Sequence, residues 1–313
     1  MNHERVTHFP LVSTHLPFHF ITIIYLSQFI MTMLSSPHQQ HSYRAALSLN
    51  NAGASLLERG LYREAYKTLT ESLLLVKQVF QGEQQEHKSL HQEQPVMDEP
   101  QSLTDSFLRS AAVRLAGPFK EERTSSVVVD VTIVEDADWC ALRRAAVYGP
   151  STSVVFAVRI SEENFESITQ HFGVLLYNHG LAAFLLNRQI LLEQEDKNSK
   201  ASSSSKKARS YLAKAQASWQ MADRTLDSVL QTTNDEDDDD TSAAGDTSNQ
   251  VQIILLSALV LHALSVVYRQ QKNLIQAHEA QALGHALCQD LEDDGYCQQM
   301  LLISSSTHTA AAA

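Results

Sequence analysis

Histidines are the first side chains in this sequence whose type and spacing suit chemistry. His87 and His91 lie four residues apart, like zinc-binding histidines on a helix, but Lys88 stands where a metalloprotease motif has its glutamate. A third ligand is missing nearby, so a polar linker is the expected setting for both. His278 and His285 are seven apart and are expected to share one helix face at a surface or interface.

The clustered carboxylates fall into two groups. Glu135, Asp136 and Asp138 could touch a cation, but their spacing defines no acid–base geometry, and a solvated turn is expected. Residues 235–240 are six consecutive acids without the alternating ligands, turn glycine and closing glutamate of a calcium loop. An acidic linker is expected there, with attraction of a basic partner as the alternative. We therefore assign no metal site.

Motifs that mark common enzyme classes do not occur. The sequence contains no G-x-S-x-G, P-loop, G-x-G-x-x-G or H-E-x-x-H pattern. Cys140, Cys288 and Cys297 form no C-x-x-C pair and are expected to be buried thiols in a reducing compartment. We therefore predict a protein that is not an enzyme, with no catalytic residues and no cofactor.

Composition limits the class of partner. A chain of 313 residues has room for one large or two ordinary domains. Its formal net charge of −12 argues against a nucleic-acid surface, because neutralising phosphates requires clustered lysine and arginine. The expected partner is therefore a protein or peptide and not a nucleic acid.

The elements that must position any site are mostly helical. In residues 46–75, apolar residues recur at spacings of three and four in two runs that Gly60 separates. Gly60 is expected to end the first helix in the left-handed conformation, and Gly53 to let a second helix pass close by. Two short helices of this kind have no core of their own and must stack on further helices.

This stretch resembles a tetratricopeptide (TPR) repeat. The residues that carry the resemblance follow the order and spacing of the repeat's signature: Gly53, Gly60, Tyr62, Ala65, Leu69 and Leu73. Four positions depart from that signature: Leu49, Ala52, Leu56 and Ser72. The resemblance is specific for a helical hairpin and implies no particular activity.

Two weaker units follow the first. Residues 176–182, LYNHGLA, align with residues 49–55, LNNAGAS, so that Gly180 takes the small-residue place. In a third unit, Ser265 takes the small-residue place and Lys272 the turn place. The whole chain resembles uncharacterised TPR-like proteins of microalgae such as diatoms, which implies a fold and no established activity.

The predicted fold is mostly α, with TPR-like helical hairpin repeats, a small two-stranded β insert and disordered insertions. The helical domain is expected to span residues 38–302, with inserts at 81–101, 125–160, 196–207 and 234–250, and a flexible tail at 303–313. Two β-branched runs in the second insert, SSVVVDVTIV and TSVVFAVRI, are expected to pair with each other. The other inserts are polar or of low complexity.

The first 37 residues decide the expected location. Residues 18–34 are apolar but marginal in length for crossing a bilayer. Residues 1–37 are interpreted either as a leader or as a gene-model extension upstream of a start at Met31 or Met33. The protein is expected in the cytoplasm, with the nucleus as an alternative; it would be secretory or membrane-anchored if residues 18–34 act as a signal. Residues 251–268 are expected to form a buried helix rather than a membrane span.

The TPR resemblance also implies where a partner would bind, because the first helix of each TPR hairpin lines the concave face. The matching positions form the candidate partner groove: Asn50, Asn51, Ala54, Tyr177, Asn178, Leu181, His262, Val266 and Arg269. A familiar TPR clamp for chaperone C-termini needs a lysine at the place of Asn50 and an asparagine at the place of Ala54. Only Asn178 fits that clamp, which is therefore not expected.

The leading functional hypothesis is a non-catalytic adaptor or scaffold that binds a peptide or a helix in this groove. The alternative is a structural helical protein that associates with itself, the apolar third unit packing against a second copy. An enzyme without a recognisable motif ranks below both.

Overall fold

The computed structural model describes residues 37–89, 99–117, 130–135, 138–148, 154–161, 168–195, 202–233 and 243–293. In this part of the chain, the elements are α1 (Pro37–Glu58), α2 (Tyr62–Ser89), α3 (Glu99–Ala116), β1 (Asp130–Glu135), α4 (Trp139–Tyr148), β2 (Val154–Arg159), α5 (Ile168–Glu195), α6 (Ser202–Thr233), α7 (Ala243–Gln270) and α8 (Leu274–Asp293). The predicted class, mostly α-helical with a small two-stranded β element, is confirmed.

Six of the helices form three hairpins, α1–α2, α5–α6 and α7–α8. The second helix of each hairpin packs on the first helix of the next, α2 on α5 and α6 on α7. The first helices α1, α5 and α7 also contact one another in that order. The hairpins are thus stacked in chain order, and the first and second hairpins each pack against the following one.

The turns of the first and third hairpins share one geometry. Gly60 has φ 74°, its amide donates to the carbonyl of Leu57, and the amide of Leu61 reaches back to Leu56. This left-handed cap was predicted from the glycine. Lys272 closes α7 in the same way with φ 62°, although it carries a side chain. The two turns are therefore equivalent in backbone conformation and differ in strain.

Glycines set how closely α5 and α6 approach. A Cβ atom on Gly180 would lie 2.5 Å from Nε1 of Trp219, and one on Gly173 would lie 2.7 Å from Cδ2 of Leu226. The two glycines are seven residues apart, and so are the two large residues that face them. A spacing of seven residues, about two turns, places residues on the same face of a helix, as expected where two antiparallel helices cross. The bare backbone of α5 thus makes room for a tryptophan and a leucine.

In the other two hairpins a glycine also lies where the helices cross, but its position and its neighbour differ. Gly53 lies against Leu69, whose Cγ would be 2.5 Å from an added Cβ. In the third hairpin the glycine at the crossing is Gly284 on the second helix, next to His262. Ser265, placed there by the repeat spacing, is buried and donates its hydroxyl to the carbonyl of His262.

Strands β1 and β2 run parallel, in the register Asp130↔Val154 to Glu135↔Arg159. Parallel strands require a crossover, which α4 provides. The β-branched runs in the sequence predicted the positions of both strands. They did not predict that the strands are parallel or that a helix lies between them. Leu142, on α4, is completely buried, and α4 packs on α7.

Several helices run further than the sequence predicts. Helix α2 continues to Ser89, inside the insert expected at 81–101, whereas α6 starts at Ser202 and α7 at Ala243, inside two other expected inserts. Once a packed helix has formed, each added residue gains a hydrogen bond, which outweighs a weak local propensity. The leader and tail predictions lie outside the described residues.

Helix α3 is fastened to the first hairpin by a buried ion pair. The guanidinium of Arg114 donates to both carboxylate oxygens of Glu71, at 2.6 and 2.7 Å, and to the hydroxyl of Thr68 at 2.7 Å. Both charged side chains are only 10% exposed. Bidentate geometry of this kind holds two helices in a defined register.

Helix α7 is the most apolar element of the described chain. Residues 250–270 are long and apolar enough to cross a membrane, and 83% of the most apolar window is buried inside the protein. The side chain of Cys288, on the following helix, is also buried; those of Cys140 and Cys297 lie outside the described part.

Candidate functional site

The face formed by the first helices α1, α5 and α7 carries the β1–α4–β2 segment. Strands β1 and β2 lie on α1, β2 also touches α5, and α4 lies on α7. We call this surface the first-helix face. The three helices that form it carry the positions at which the sequence predicts a partner groove.

Asn51 holds the end of β2 with both atoms of its side-chain amide. Its Oδ1 accepts a hydrogen bond from the backbone amide of Ile160 at 2.9 Å, and its Nδ2 donates to the carbonyl of the same residue at 2.9 Å. An asparagine side chain can thus pair with both the N–H and the C=O of one extended residue, as a residue of a neighbouring strand would.

Asn178 makes the same pair of contacts two residues earlier. Its Oδ1 accepts from the amide of Val158 at 3.0 Å, and its Nδ2 donates to the carbonyl of Val158. Asn50 supports this contact, because its Oδ1 accepts from Asn178 at 2.9 Å and its Nδ2 reaches the same carbonyl at 3.3 Å. Both asparagines are completely buried, so each hydrogen bond satisfies a group that water cannot reach.

Tyr177 is the fourth helix side chain that binds the backbone of β2. Its hydroxyl donates to the carbonyl of Phe156 at 2.8 Å. Burial raises the pKa of Tyr177, which keeps the hydroxyl protonated and able to donate. Residues 156, 158 and 160 alternate along the strand, so their backbone groups point to the edge that does not pair with β1. Four helix side chains therefore take the place of a third strand.

This strand is apolar and buried on both faces, and its end is charged. Val155, Ala157, Val158 and Ile160 are at most 1% exposed. The guanidinium of Arg159 donates to the hydroxyl of Ser55 at 2.8 Å and lies 3.7 Å from Glu135 and 4.0 Å from Glu58. These two carboxylates form a rim, half exposed to solvent. The site therefore combines backbone recognition, apolar burial and one cation.

The remaining predicted groove residues lie elsewhere. Ala54 and Leu181 are buried in the core, 0% and 2% exposed. His262 is buried with its ring 5.0 Å from that of His285, and burial followed by the charge of His285 lowers its pKa. None of these three residues takes part in the hydrogen bonds to β2 described above. The same holds for Val266 and Arg269.

That pair belongs to the third unit. Val266 is partly buried, whereas Arg269 is exposed and donates to Gln281 on α8. The structure therefore brings together Asn50, Asn51, Tyr177 and Asn178 and leaves the three positions of the third unit apart from them.

Two buried histidines were not singled out from the sequence. Nδ1 of His171 lies 2.8 Å from the hydroxyl of Tyr43, and Nδ1 of His179 lies 2.8 Å from that of Ser218. Burial lowers the pKa of both to about 4, and Lys214 adds to the effect at His179. Their only sequence signal is a polar residue on an otherwise apolar helix stripe, because their neighbours come from other helices.

A serine 2.8 Å from a histidine has the distance of a nucleophile and its base. Here the other ring nitrogen of His179 faces the hydroxyl of Thr70 at 3.3 Å, where a catalytic triad has an orienting carboxylate. A histidine with a pKa of about 4 is also a poor base at neutral pH. Ser218 is 8% exposed and His179 is 9% exposed, and their contact joins α5 to α6.

The acidic residues considered for a cation have structural contacts. Glu135 pairs with Arg159, and Asp138 caps α4 by accepting a hydrogen bond from the amide of Ala141 at 3.0 Å. Among the described residues, no group of three potential ligands could hold a metal ion. Asp136 and residues 235–240 lie outside the described residues, as do the side chains of His87 and His91.

No family model, curated protein or solved structure matches this chain.

Proposed function

We propose that this protein is a non-catalytic adaptor with a TPR-like scaffold that binds an extended peptide segment of another protein on the first-helix face. The stacking order supports a TPR-like scaffold, because the second helix of each hairpin packs on the first helix of the next. The glycines at the crossings in α1 and α5 support it too.

One observation carries the proposal. Asn51 and Asn178 each pair with the amide and carbonyl of a single residue in an extended strand, two residues apart. This arrangement recognises a backbone and is independent of the side chains attached to it, as in strand addition to a sheet edge. A surface so equipped suits an extended peptide better than a helix, whose backbone groups bond within the helix itself.

Partner capture from a cell extract with the full chain tests this function. Asn51→Ala removes one bidentate contact at a half-buried position, and Tyr177→Phe removes only the hydroxyl that binds Phe156. Both variants should lose the partners that wild type retains, while circular dichroism shows the same helix content. Gln231→Ala, which removes an exposed amide on α6, is the matched control. Identical partner sets for all four proteins would reject the groove.

Exposed apolar residues favour self-association as a second candidate. Leu274, Ile275 and Leu283 on α8, the last helix described, are 70%, 74% and 58% exposed. The apolar residues of α7 are mostly buried within the chain, so α8 is the part of the third hairpin with surface to offer.

Sedimentation velocity tests this second candidate. Wild type should form a dimer in the micromolar range, and Leu274→Glu with Ile275→Glu should be monomeric. Val113→Glu, at a 72% exposed position on α3, is the control that should still dimerise. A wild-type monomer at high micromolar concentration would exclude self-association.

A further inference from the structure

The first-helix face already holds an extended strand, and that strand is part of the same chain. The three backbone positions that the face recognises are all in or next to β2, at Phe156, Val158 and Ile160. We propose that β2 is an internal ligand: the partner segment takes the place of β2, and binding requires β2 to leave the face. This inference rests on the proposed function, since it names the kind of partner and the step that controls access.

The contacts between β2 and the helices allow such an exchange. On this edge of β2 they are made by side chains of α1 and α5, whose own backbone hydrogen bonds stay within each helix. Departure of the strand therefore leaves no helix with broken backbone bonds. It does remove the hydrogen bonds that Asn50 and Asn178 make to Val158 and the pairing of β2 with β1, and an incoming extended backbone restores both.

The residues of β2 define the chemistry of the partner. Ala157 and Val158 are completely buried, so bulky or charged side chains would not fit at these positions. Arg159 contacts two half-exposed carboxylates, Glu58 and Glu135, so a cation is favoured at its place. The expected partner is an extended, β-branched segment with a small residue followed two positions later by arginine or lysine.

Competition sets the affinity that an outside segment shows. While β2 occupies the face, only the fraction of molecules with a vacant face can bind, and the apparent affinity falls by that fraction. Weakening β2 without changing the face should therefore strengthen binding in trans. Arg159 is suitable for this purpose, because it lies on the strand and its side chain is one-third exposed.

Hydrogen exchange on the full-length wild type is the first test. The probe is a synthetic peptide of residues 152–161, TSVVFAVRIS, with a scrambled peptide as control. The amides of Val158 and Ile160 should exchange faster than the core amides of α5, and excess peptide should accelerate them about tenfold because it keeps the face occupied. Exchange of these amides only on global unfolding, unchanged by the peptide, would overturn the inference.

Binding of the same peptide to full-length variants is the second test. Arg159→Glu sets β2 against both rim carboxylates, whereas the peptide keeps its arginine, so affinity should rise about tenfold over wild type. Arg159→Ala should raise it about threefold and decides the outcome if the charge reversal does not fold. Arg144→Glu, on the exposed side of α4, is the matched control and should leave affinity unchanged.

The double variant Arg159→Ala with Asn51→Ala should lose the increase in peptide affinity, because the peptide then lacks the bidentate contact to Asn51. Equal affinities for Arg159→Ala, Arg144→Glu and wild type would overturn the inference.

The two proposals fail differently. If the peptide displaces β2 but Asn51→Ala retains every wild-type partner, the adaptor function is rejected and β2 remains an exchangeable strand. If partner capture depends on Asn51 while the Val158 amide stays protected in the presence of that partner, the adaptor function stands and the internal-ligand inference is rejected.

Discussion

At the scale of single residues, the contacts of Asn178 carry the largest consequence. Its side chain is completely buried and joins two segments that are 20 residues apart in sequence, α5 and β2. The repeat spacing singled out this position as part of a groove. It did not indicate that the occupant is a strand of the same chain, because hydrogen bonds between distant segments have no local sequence pattern.

Asn178→Ala should therefore destabilise the protein strongly. It leaves the amide and the carbonyl of Val158 without this partner in a buried site, and we expect the free energy of unfolding to fall by about 3 kcal/mol. Urea denaturation followed by circular dichroism measures the change. Gln231→Ala, at an exposed amide, should change it by less than about 0.5 kcal/mol. Equal effects of the two substitutions would show that β2 is not held by Asn178.

The buried histidines make stability depend on pH. The pKa of His171 and of His179 is about 4, below the ordinary 6.5. The unfolded chain therefore binds protons that the folded protein resists, so the histidine contribution to stability is complete above pH 6.5 and is lost as pH falls to about 4. Asp223 acts in the opposite sense. Burial, and to a smaller extent the charge of Asp227, raise the pKa of Asp223 to about 6, so its contribution to stability is lost as pH rises.

His171→Gln isolates one contribution to this profile. Between pH 6.5 and 4 the variant should lose less stability than wild type, by on the order of 3 kcal/mol at about 1.36 kcal/mol per pKa unit. Chemical denaturation at a series of pH values measures both curves, and their difference cancels Asp223. Gln231→Ala, which removes an exposed amide that does not titrate, should follow the wild-type curve. A variant curve parallel to wild type would place the pH dependence elsewhere.

At the scale of elements, the turn after α7 contains strain that the turn after α1 avoids. Both have the same pair of backbone hydrogen bonds, but Lys272 adopts the left-handed conformation that Gly60 adopts freely. The sequence alignment of the repeats placed Lys272 at the turn, and the backbone dihedral agrees with that placement. A non-glycine residue in this region costs about 1 kcal/mol.

Lys272→Gly should therefore stabilise the protein by about 1 kcal/mol, although it removes an exposed side chain and adds flexibility to the unfolded chain. Thermal and urea denaturation measure the change. Gln271→Gly, one residue earlier and also exposed, is the matched control and should not stabilise. A loss of stability in Lys272→Gly would mean that the lysine side chain makes a contact worth more than the strain.

At the crossing of α5 and α6, by contrast, replacing a glycine should destabilise the protein. Gly180→Ala places a Cβ atom within 2.9 Å of three indole atoms of Trp219, so we expect a loss of about 2 kcal/mol despite the better helix propensity of alanine. Gly284→Ala, whose nearest neighbour would be 3.2 Å away, is the control with an effect near zero. Differential scanning calorimetry distinguishes the two, and equal transition temperatures would refute the close crossing.

At the scale of the whole molecule, three hairpins bury most of their apolar surface against one another and against the β1–α4–β2 segment. Each first helix is covered by part of that segment: α1 and α5 by the strands, α7 by α4. The segment lies between the first and second hairpins in sequence, yet it contacts all three in space. Only the tertiary structure shows that it covers Asn50, Asn51, Tyr177 and Asn178 of the candidate groove.

Net charge is also a property of the whole chain. With a formal charge of −12, the protein should not bind a 20-base-pair DNA duplex at about 0.15 M salt and micromolar protein, because clustered cations are needed to displace counterions. Fluorescence anisotropy of labelled DNA measures this directly. Saturable binding that weakens with salt would contradict the prediction and point to a local basic surface.

The sequence by itself determined the helical class, the crossing glycines Gly53 and Gly180, and the turns at Gly60 and Lys272. It also singled out three asparagines and one tyrosine whose side chains all contact β2. These follow from local periodicity, steric demands of turns and the spacing of one helix face. The tertiary structure alone decided that β1 and β2 are parallel, that Gly284 rather than Ser265 provides the glycine at the third crossing, and that β2 fills the first-helix face. Such pairings join residues far apart in the chain, and their energy depends on burial and geometry that no short stretch of sequence contains.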